Sequence, residues 1–306
     1  MKQLIFLHRN NKELVIQDNE LIESPRNLTL QEQKLFLFII SKISNLEIDE
    51  RTICRIKVDE FAKAIEINHS SDPYRDIRKI VKSLQQRVVT LYSIKNGHET
   101  ITDITIVTYA KYAINEGYAE IQVNPKLFPY LIGLQNRFTQ YELSNVSSLS
   151  SSYAIRIYEL LKQYEMIGKR AFSIDDIRKK LKIDDDTYKK FSDFRIRVIE
   201  IATREINEKT DIKVSYKFRK TGRQITDVYF TIKSKSTIKE YKNETSKVIQ
   251  LIEDTDIPTQ SKKVGRKRKK RSMLNTVTTK EQIKSSKAEK STLKAGLVKF
   301  FKKLFS

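Results

Sequence analysis

Basic side chains cluster in the stretch FRIRVIEIATREINEKTDIKVSYKFRKTGRQITDVYF (residues 194–230), which has the pattern of a long helix followed by two short strands. Steps of 100° per residue along residues 188–209 place the apolar side chains in one arc and charged ones in the opposite arc. That charged arc consists of Lys189, Lys190, Asp193, Arg197, Glu200 and Arg204. An α-helix of this kind fits the major groove of DNA, where arginine or lysine donates to guanine and neighbouring cations meet phosphates.

The two strands behind this helix carry a second set of cations around a Thr221-Gly222 turn: Lys217, Arg219, Lys220 and Arg223. A mixed-charge helix standing alone is more often a solvated surface helix. Phosphates flank the major groove on both sides, so a basic hairpin tip beside a basic helix favours contact with DNA. We therefore predict that the helix and the hairpin bind DNA together.

These basic residues belong to a predicted set of three helices followed by a hairpin. SLSSSYAIRIYELLKQY and FSIDDIRKKL predict the first two helices, the second capped by Ser173, and the long basic helix is the third. The triplet Asp184-Asp185-Asp186 precedes that third helix and lacks the ligand spacing and glycine of a calcium loop, so it is predicted to cap the helix instead. Three helices followed by a hairpin is the element order of a winged helix.

The first half of the chain repeats this order. NLTLQEQKLFLFIISKIS predicts a helix capped by Asn27 or Thr29, KVDEFAKAI a short second helix, and SSDPYRDIRKIVKSLQQR a third with Asp72 as cap. VVTLYSIK, TITDITIVTYAKYAI and YAEIQVNP then predict antiparallel strands, separated by turns at Asn96-Gly97 and Glu116-Gly117. The outward arc of the third helix is again basic, with Arg75, Arg78, Lys79 and Lys82.

Matching the two halves at Leu28 and Leu149, or at Val58 and Ile174, gives similar offsets and indicates a structural duplication. The predicted fold class is α+β, with two tandem winged-helix domains related by pseudo-duplication. We place the first domain at residues 1–134 and the second at 135–235. Such a pair can span two neighbouring major grooves, about one helical turn (~34 Å) apart.

A basic tail follows the two domains. Residues 236–290, which include KKVGRKRKKR, are predicted to be a disordered basic linker because their composition cannot bury a core. In this chain, the basic run favours non-specific DNA affinity over a nuclear-import signal. Residues 291–306 (STLKAGLVKFFKKLFS) have helical apolar spacing with lysines between. This amphipathic helix has three candidate roles: weak binding to an anionic membrane surface, docking to a partner protein, or self-association.

Composition restricts the function further. The chain has 306 residues and a net charge of +21, of which residues 241–306 contribute +12, and this balance favours a nucleic-acid partner. A single cysteine, Cys54, is typical of a reducing compartment, and we expect a cytoplasmic location. The chain has no GxxxxGK[ST] motif, and His8, His69 and His98 are isolated from one another. We therefore predict no catalytic residue, no metal site, no cofactor and no enzymatic activity.

Three stretches carry a resemblance to a known family: LTLQEQKLFLFIISKI, RFTQYELSNVSSLSSSYAIRIYELLKQY, and FSDFRIRVIEIATREINEKTDIKVSYKF continued through GRQITDVYFTI. Over residues 15–235 the chain resembles the initiator replication proteins of theta-replicating plasmids. The resemblance implies a protein that binds repeated origin sequences (iterons) as a monomer, opens adjacent AT-rich DNA and helps to load the host replicative helicase, with the host initiator as a further partner. It also implies dimerisation through the first winged helix, and repression of the protein's own promoter by the dimer.

The family's DNA-reading helix maps onto Lys189 to Arg204 of this chain, with Arg197 at its most characteristic position. An alternative remains open at this point. A DNA-binding transcriptional repressor that never initiates replication would have the same binding chemistry.

Overall fold

The computed structural model describes residues 13–43, 53–64, 72–95, 98–113 and 116–236. The predicted Asn96-Gly97 turn and the predicted tail, apart from residue 236, lie outside these residues. The first half contains β1 (Leu14–Asp18), α1 (Asn19–Glu23), α2 (Leu30–Ile43), β2 (Cys54–Lys57), α3 (Val58–Ala64), α4 (Pro73–Leu84), β3 (Val88–Lys95), β4 (His98–Thr105), β5 (Val107–Ala113), β6 (Tyr118–Val123) and a 3-10 helix (Pro125–Tyr130).

The second half repeats the helical order and adds a longer hairpin. It contains β7 (Phe138–Glu142), α5 (Ser144–Ser147), α6 (Ser152–Lys162), β8 (Lys169–Ser173), α7 (Ile174–Lys180), α8 (Phe191–Phe194), a π-helical segment (Arg195–Glu200), α9 (Ile201–Lys209), β9 (Ile212–Thr221) and β10 (Gln224–Ser234). The segments α8, Arg195–Glu200 and α9 follow one another directly, and we call residues 191–209 the reader helix.

Side-chain caps begin three helices where the sequence predicts them. Of the two candidates for α2, the cap is Thr29, whose hydroxyl accepts the Glu32 N–H (3.3 Å) while the Glu32 carboxylate accepts the Thr29 N–H (2.7 Å). Asp72 accepts the N–H of Arg75 (3.0 Å) at the start of α4, and Ser173 accepts that of Asp176 (3.0 Å) at the start of α7. Each cap satisfies a backbone donor that has no partner inside its helix.

We expect Asp72→Ala to lower the free energy of unfolding by about 1 kcal/mol, because the N–H of Arg75 loses its acceptor. Urea unfolding followed by circular dichroism measures this change. Asp72→Asn is the matched control, since its amide oxygen can still accept the bond and most of the stability should remain. Equal losses in the two variants would show that the side chain does not act as a cap.

The same sheet topology occurs in both halves. The strand order is β2-β6-β5 in the first sheet and β8-β10-β9 in the second, so the last strand of each half lies in the middle. In each case the short strand before the second helix is one edge and a hairpin supplies the other two strands. This repetition confirms the predicted pair of winged helices, and it identifies β5–β6 and β9–β10 as the two wings.

The sequence predicts one strand over residues 100–114, and this prediction is wrong: two strands, β4 and β5, occupy the segment. Ile106 interrupts them: it is fully buried, its N–H donates to the Arg87 carbonyl (3.1 Å), and its carbonyl accepts the Asn124 N–H (3.0 Å). These bonds belong neither to the β3–β4 ladder nor to the β5–β6 ladder. They fix the backbone where it passes from the first of these sheets to the second. As a result, within the part of the chain that the structure describes, β3 and β4 pair only with each other, as a hairpin inserted between α4 and the first wing.

Two features that connect the halves could not be predicted from the sequence pattern. β1 pairs with β7 in an antiparallel ladder from Leu14↔Glu142 to Asp18↔Phe138, so segments on either side of residue 134 share hydrogen bonds. Helix α2 is buried on almost all sides, and its buried residues include Glu32, Gln33 and Lys34 as well as the predicted apolar stripe. It therefore lies inside the core rather than along its edge.

Candidate nucleic-acid interface

The reader helix is held to the core by one face and exposes the other. Phe194, Val198, Ala202 and Ile206 are buried, whereas Arg197 and Arg204 are exposed. The apolar arc predicted from 100° steps thus points inward, except that the π-helical segment also buries Ile199 next to Val198. The hydrogen bonds of a π-helix span one residue more than those of an α-helix, so the inward face shifts there.

The reader helix begins at Phe191 rather than at residue 188, so the predicted boundary is wrong. Tyr188 has a φ of +52°, in the left-handed region, and Lys190 is extended. Lys189 and Lys190 therefore lie on the approach to the helix and are both exposed. The predicted cap is also wrong: the helix has no side-chain cap, and Asp186 instead pairs with Lys189 (2.7 Å).

The second wing ends in a two-residue turn, Gly222-Arg223, between the paired residues Thr221 and Gln224. Gly222 has a φ of +63°, which a glycine adopts at no steric cost. Lys217, Lys220 and Arg223 are exposed on this hairpin. The wing therefore carries exposed cations along β9 and in the turn itself.

Arg219 on the same wing is already engaged. Its Nε and Nη2 donate to Asp227 Oδ2 (3.0 and 2.9 Å), and its guanidinium lies 5.7 Å from the centre of the Tyr229 ring. A hydrogen bond from Thr226, together with Arg219, keeps the pKa of the Asp227 carboxyl below its ordinary value. Arg219 thus reaches the surface with part of its charge compensated.

A cavity of about 500 Å³ lies between the start of the reader helix and the tip of the second wing. Its lining includes the apolar side chains of Ile174, Phe191, Phe194 and Ile225, and the charged side chains of Arg178, Lys189, Arg223 and Asp185. The first turn of the reader helix and the wing tip therefore line one groove, whose cations come from α7 (Arg178), the approach to the helix (Lys189) and the wing turn (Arg223).

The first winged helix presents a similar helix but a different wing. On α4, Ile77, Ile80, Val81 and Leu84 are buried, and Arg75, Arg78, Lys79 and Lys82 are exposed. On the wing sheet, Arg55 (2.8 Å) and Lys111 (3.8 Å) both pair with Glu120, which compensates part of their charge. The second wing thus has more uncompensated positive charge near its tip than the described part of the first.

All of the candidate cations are exposed in the structure. They are Lys189, Lys190, Arg197, Arg204, Lys217, Arg219, Lys220, Arg223, Arg75, Arg78, Lys79 and Lys82. Exposure makes each of them accessible to a ligand, and contact of each with DNA stays a prediction.

A buried charged cluster that the sequence analysis did not predict lies between the two halves. The Glu159 carboxylate on α6 accepts from Arg156 Nη1 (2.6 Å), Arg26 Nη2 (3.4 Å), Gln17 Nε2 (2.8 Å), Gln33 Nε2 (3.1 Å) and the Tyr141 hydroxyl (2.9 Å). All six side chains are buried. The signal that could have revealed the cluster is Arg156 and Glu159, three residues apart in the otherwise apolar YAIRIYELL.

Ionisation in this cluster follows from burial and the two guanidinium groups. Burial, together with repulsion from Arg156, lowers the pKa of Arg26 to about 10. Burial acts to raise the pKa of Glu159, but Arg26 and Arg156 hold it below its ordinary value. Glu159 is therefore an anion at neutral pH, and it is the acceptor on which the cluster converges.

The described residues give little support for a metal site or for a nucleophilic cysteine. They contain no group of three or more His, Cys, Asp or Glu side chains placed to hold a metal ion. Cys54 is buried, and burial raises the pKa of its thiol to about 11, so it is a poor nucleophile at neutral pH. Within the described ranges, no helix is both long enough and apolar enough to span a bilayer.

Two winged helices, each with an exposed basic third helix, define a tandem winged-helix protein of the class that binds DNA. Residues 14–162 match the family model described as "Initiator Replication protein, WH1", and residues 173–232 match "Initiator Rep protein, WH2". The chain therefore belongs to the family of initiator replication proteins, the DNA-binding replication initiators of plasmids that are built from two winged helices.

Two relatives are similar to the chain over most of their own lengths. The chain is 26% identical over 263 residues to the PI protein of Escherichia coli, an alignment that covers 75% of this chain and 86% of that protein. It is 25% identical over 224 residues to an uncharacterized 27.6 kDa protein of Escherichia coli, covering 70% and 93% of the two chains.

Two solved structures show partial similarity to this chain. The WH1 domain of MSBI1.176, a replication protein isolated from a multiple sclerosis patient, has a TM-score of 0.29 at 20% identity and covers 34% of this chain and 78% of its own. Domains 2 and 3 of RctB have a TM-score of 0.42 at 11% identity and cover 67% of this chain and 81% of their own.

Proposed function

We propose that this chain initiates plasmid replication by binding repeated origin DNA (iterons) in a sequence-specific manner through both winged helices. The observation that carries the proposal is in the second winged helix. There Lys189, on the approach to the reader helix, and Arg223, in the wing turn, line one groove, and Arg197 and Arg204 are exposed on the helix itself. A major groove has phosphates along both edges and base edges at its floor. The arrangement of a helix beside a wing supplies donors for each.

We assign a role in DNA binding to each cation of the second winged helix from its position in the structure. Arg197 and Arg204 lie on the exposed face of the reader helix, and Arg197 is assigned to a base edge. Lys189 and Lys190, at the approach to the helix, are assigned to phosphates. Wing cations Lys217, Lys220 and Arg223 meet the backbone across the groove, with Arg219 contributing beside Asp227.

The first winged helix is proposed to bind the neighbouring major groove. Its contacts are Arg75, Arg78, Lys79 and Lys82, all on one exposed helical face. Partial neutralisation of its wing by Glu120 supports the second winged helix as the principal DNA reader. With boundaries at 1–134 and 135–235, the first domain is further proposed to provide the dimer contact.

Membership of the family supports the later steps. We propose that the bound protein promotes opening of adjacent AT-rich DNA and recruits the host replicative helicase together with the host initiator, without itself being an enzyme. The dimer is proposed to repress its own promoter. Such a protein acts in the bacterial cytoplasm on plasmid DNA, with the basic linker adding non-specific DNA affinity and residues 291–306 making a weak membrane-surface or protein contact.

The test of initiation is autonomous maintenance. The gene and its flanking DNA are placed on a circular marker DNA that lacks an origin, and transformants are scored. We expect maintenance with the intact gene and none when Arg197→Ala and Arg204→Ala are combined. A protein that represses its promoter yet never supports maintenance would instead be a transcriptional repressor, and the proposed function would be wrong.

Salt dependence provides a second prediction. If each winged helix neutralises about four phosphates, the logarithm of the association constant should fall with the logarithm of salt concentration with a slope of about −7. Changing the four α4 cations to alanine should reduce the slope to about half. Fluorescence anisotropy with a labelled duplex at several salt concentrations measures both values. Equal slopes for the two proteins would contradict DNA contact by the first winged helix.

A further inference from the structure

The loop that leads into the reader helix follows a strained path. Lys182 and Tyr188 have φ values of +49° and +52°, in the left-handed region that side chains with a Cβ rarely adopt. Such a conformation persists only when surrounding contacts over-determine it. The contacts that hold residues 182–190 therefore decide where Lys189 and Lys190 point.

One side chain bonds three carbonyls of this loop. Arg178, at the end of α7, donates through Nη2 to the carbonyls of Asp184 (2.9 Å) and Thr187 (2.8 Å) and through Nη1 to that of Tyr188 (3.3 Å). Its guanidinium also lies 5.6 Å from the centre of the Phe194 ring, on the reader helix. A single group thus joins α7, the loop and the helix.

The far end of the loop is fixed by the reader helix. The Lys190 carbonyl accepts the N–H groups of Asp193 (3.0 Å) and Phe194 (3.2 Å) in the first turn. Between this turn and the carbonyls held by Arg178 there remain only Lys189 and the peptide units beside it. The Tyr188 ring packs edge-on against Tyr153 at 6.3 Å and closes the remaining side.

We propose that Arg178 is a positioning residue for DNA binding: it holds the loop in the path that presents Lys189 and Lys190 to the phosphates. The inference rests on the proposed function, because it assigns those lysines to DNA. Arg178 itself is half-buried, and three of its five N–H donors bond backbone carbonyls of the loop. A planar guanidinium can reach several acceptors at once, whereas a lysine ammonium is a single point of attachment.

Amide hydrogen exchange of the free, full-length protein tests the holding of the loop. Arg178→Lys retains the positive charge but removes the planar guanidinium that bonds three carbonyls. Amide hydrogen exchange in residues 182–190 should therefore become about tenfold faster or more. Arg170→Lys is the matched control: Arg170 also bonds a carbonyl and a carboxylate and lies against Phe172, but it is remote from this loop in its contacts. Unchanged exchange of the loop in Arg178→Lys would overturn the proposal.

DNA binding tests whether the loop positions Lys189 and Lys190 for contact with phosphates. The probe is a 30-base-pair duplex selected by the wild-type chain from a randomised pool, and the variants are Arg178→Lys, the double variant Lys189→Ala/Lys190→Ala, and the triple combination. We expect Arg178→Lys and the double variant each to bind about tenfold more weakly and to lose about 2 units of salt slope. The triple variant should bind no more weakly than the double variant, since Arg178 acts through the two lysines.

This assignment would be overturned by wild-type affinity for Arg178→Lys, or by a triple variant whose loss equals the product of the separate losses. Wild-type affinity for the double variant would overturn it as well, by removing the lysines from the interface. Failure of the proposed function has a different signature. The wild-type chain would then select no duplex at all, while accelerated exchange in Arg178→Lys would still report the holding of the loop.

Discussion

Glu159→Gln is expected to lower the free energy of unfolding by about 3–5 kcal/mol, the cost of removing one partner from a buried ion pair. The glutamine retains the shape of the side chain but leaves Arg26 and Arg156 buried without an anion. It also presents an amide NH₂ to donors such as Gln17 and Gln33. Chemical denaturation followed by circular dichroism measures the loss.

Glu120→Gln is the control for this change. Glu120 pairs with Arg55 and Lys111, whose side chains are 63% and 59% exposed, so its removal should cost no more than about 1 kcal/mol. Similar losses in the two variants would show that the Glu159 cluster contributes nothing beyond an ordinary surface pair.

The stabilisation by Glu159 should also depend on pH. Its pKa is lowered in the folded protein, so the carboxylate stabilises the fold above its ordinary pKa of 4.5 and this contribution is lost as the pH falls through the lower folded value. The difference in unfolding free energy between the wild type and Glu159→Gln should therefore be full at neutral pH and shrink below pH 4.5. A difference that grows on acidification would contradict the assignment of Glu159 as the buried anion.

The second large effect is expected at Arg197. Arg197→Ala should weaken binding to the selected duplex by about 1–3 kcal/mol and relax discrimination at one base position, because a bidentate donor to a base edge is lost. The side chain is exposed next to the buried Val198, so its removal should leave the fold unchanged. Anisotropy titrations against the selected duplex and its single-base variants measure both changes.

Arg195→Ala is the matched control on the same helix. Arg195 is exposed and its Nε lies 3.2 Å from Glu200 Oε1, so part of its charge is compensated. We expect a smaller loss that is uniform across the duplex variants. Full-strength binding by Arg197→Ala, with discrimination intact, would remove Arg197 from the base-reading role.

Features that depend on neighbouring residues could be predicted from the sequence. The caps at Asp72 and Ser173 each bond a backbone N–H three residues ahead, and the apolar stripe of α4 repeats within a single helix. The exposed face of the reader helix follows from the same periodicity. Local chemistry decides these features, so a short window of residues contains the information.

Features that depend on distant residues were missed for the same reason. β1 pairs with a strand at least 120 residues away, and Gln17 bonds Glu159 across 142 positions. The start of the reader helix was placed three residues early, because the left-handed Tyr188 is held by Arg178 and not by its own neighbours. The π-helical segment likewise has no signal in a 3.6-residue repeat.

Hydroxyl-radical footprinting of the wild-type chain on its selected duplex tests the central claim most directly. If both winged helices read DNA, two protected segments should appear on one face of the duplex with centres about 10–10.5 base pairs apart. Changing Arg75, Arg78, Lys79 and Lys82 to alanine should remove one segment and leave the other. A single protected segment in the wild type, or two segments on opposite faces, would contradict the account.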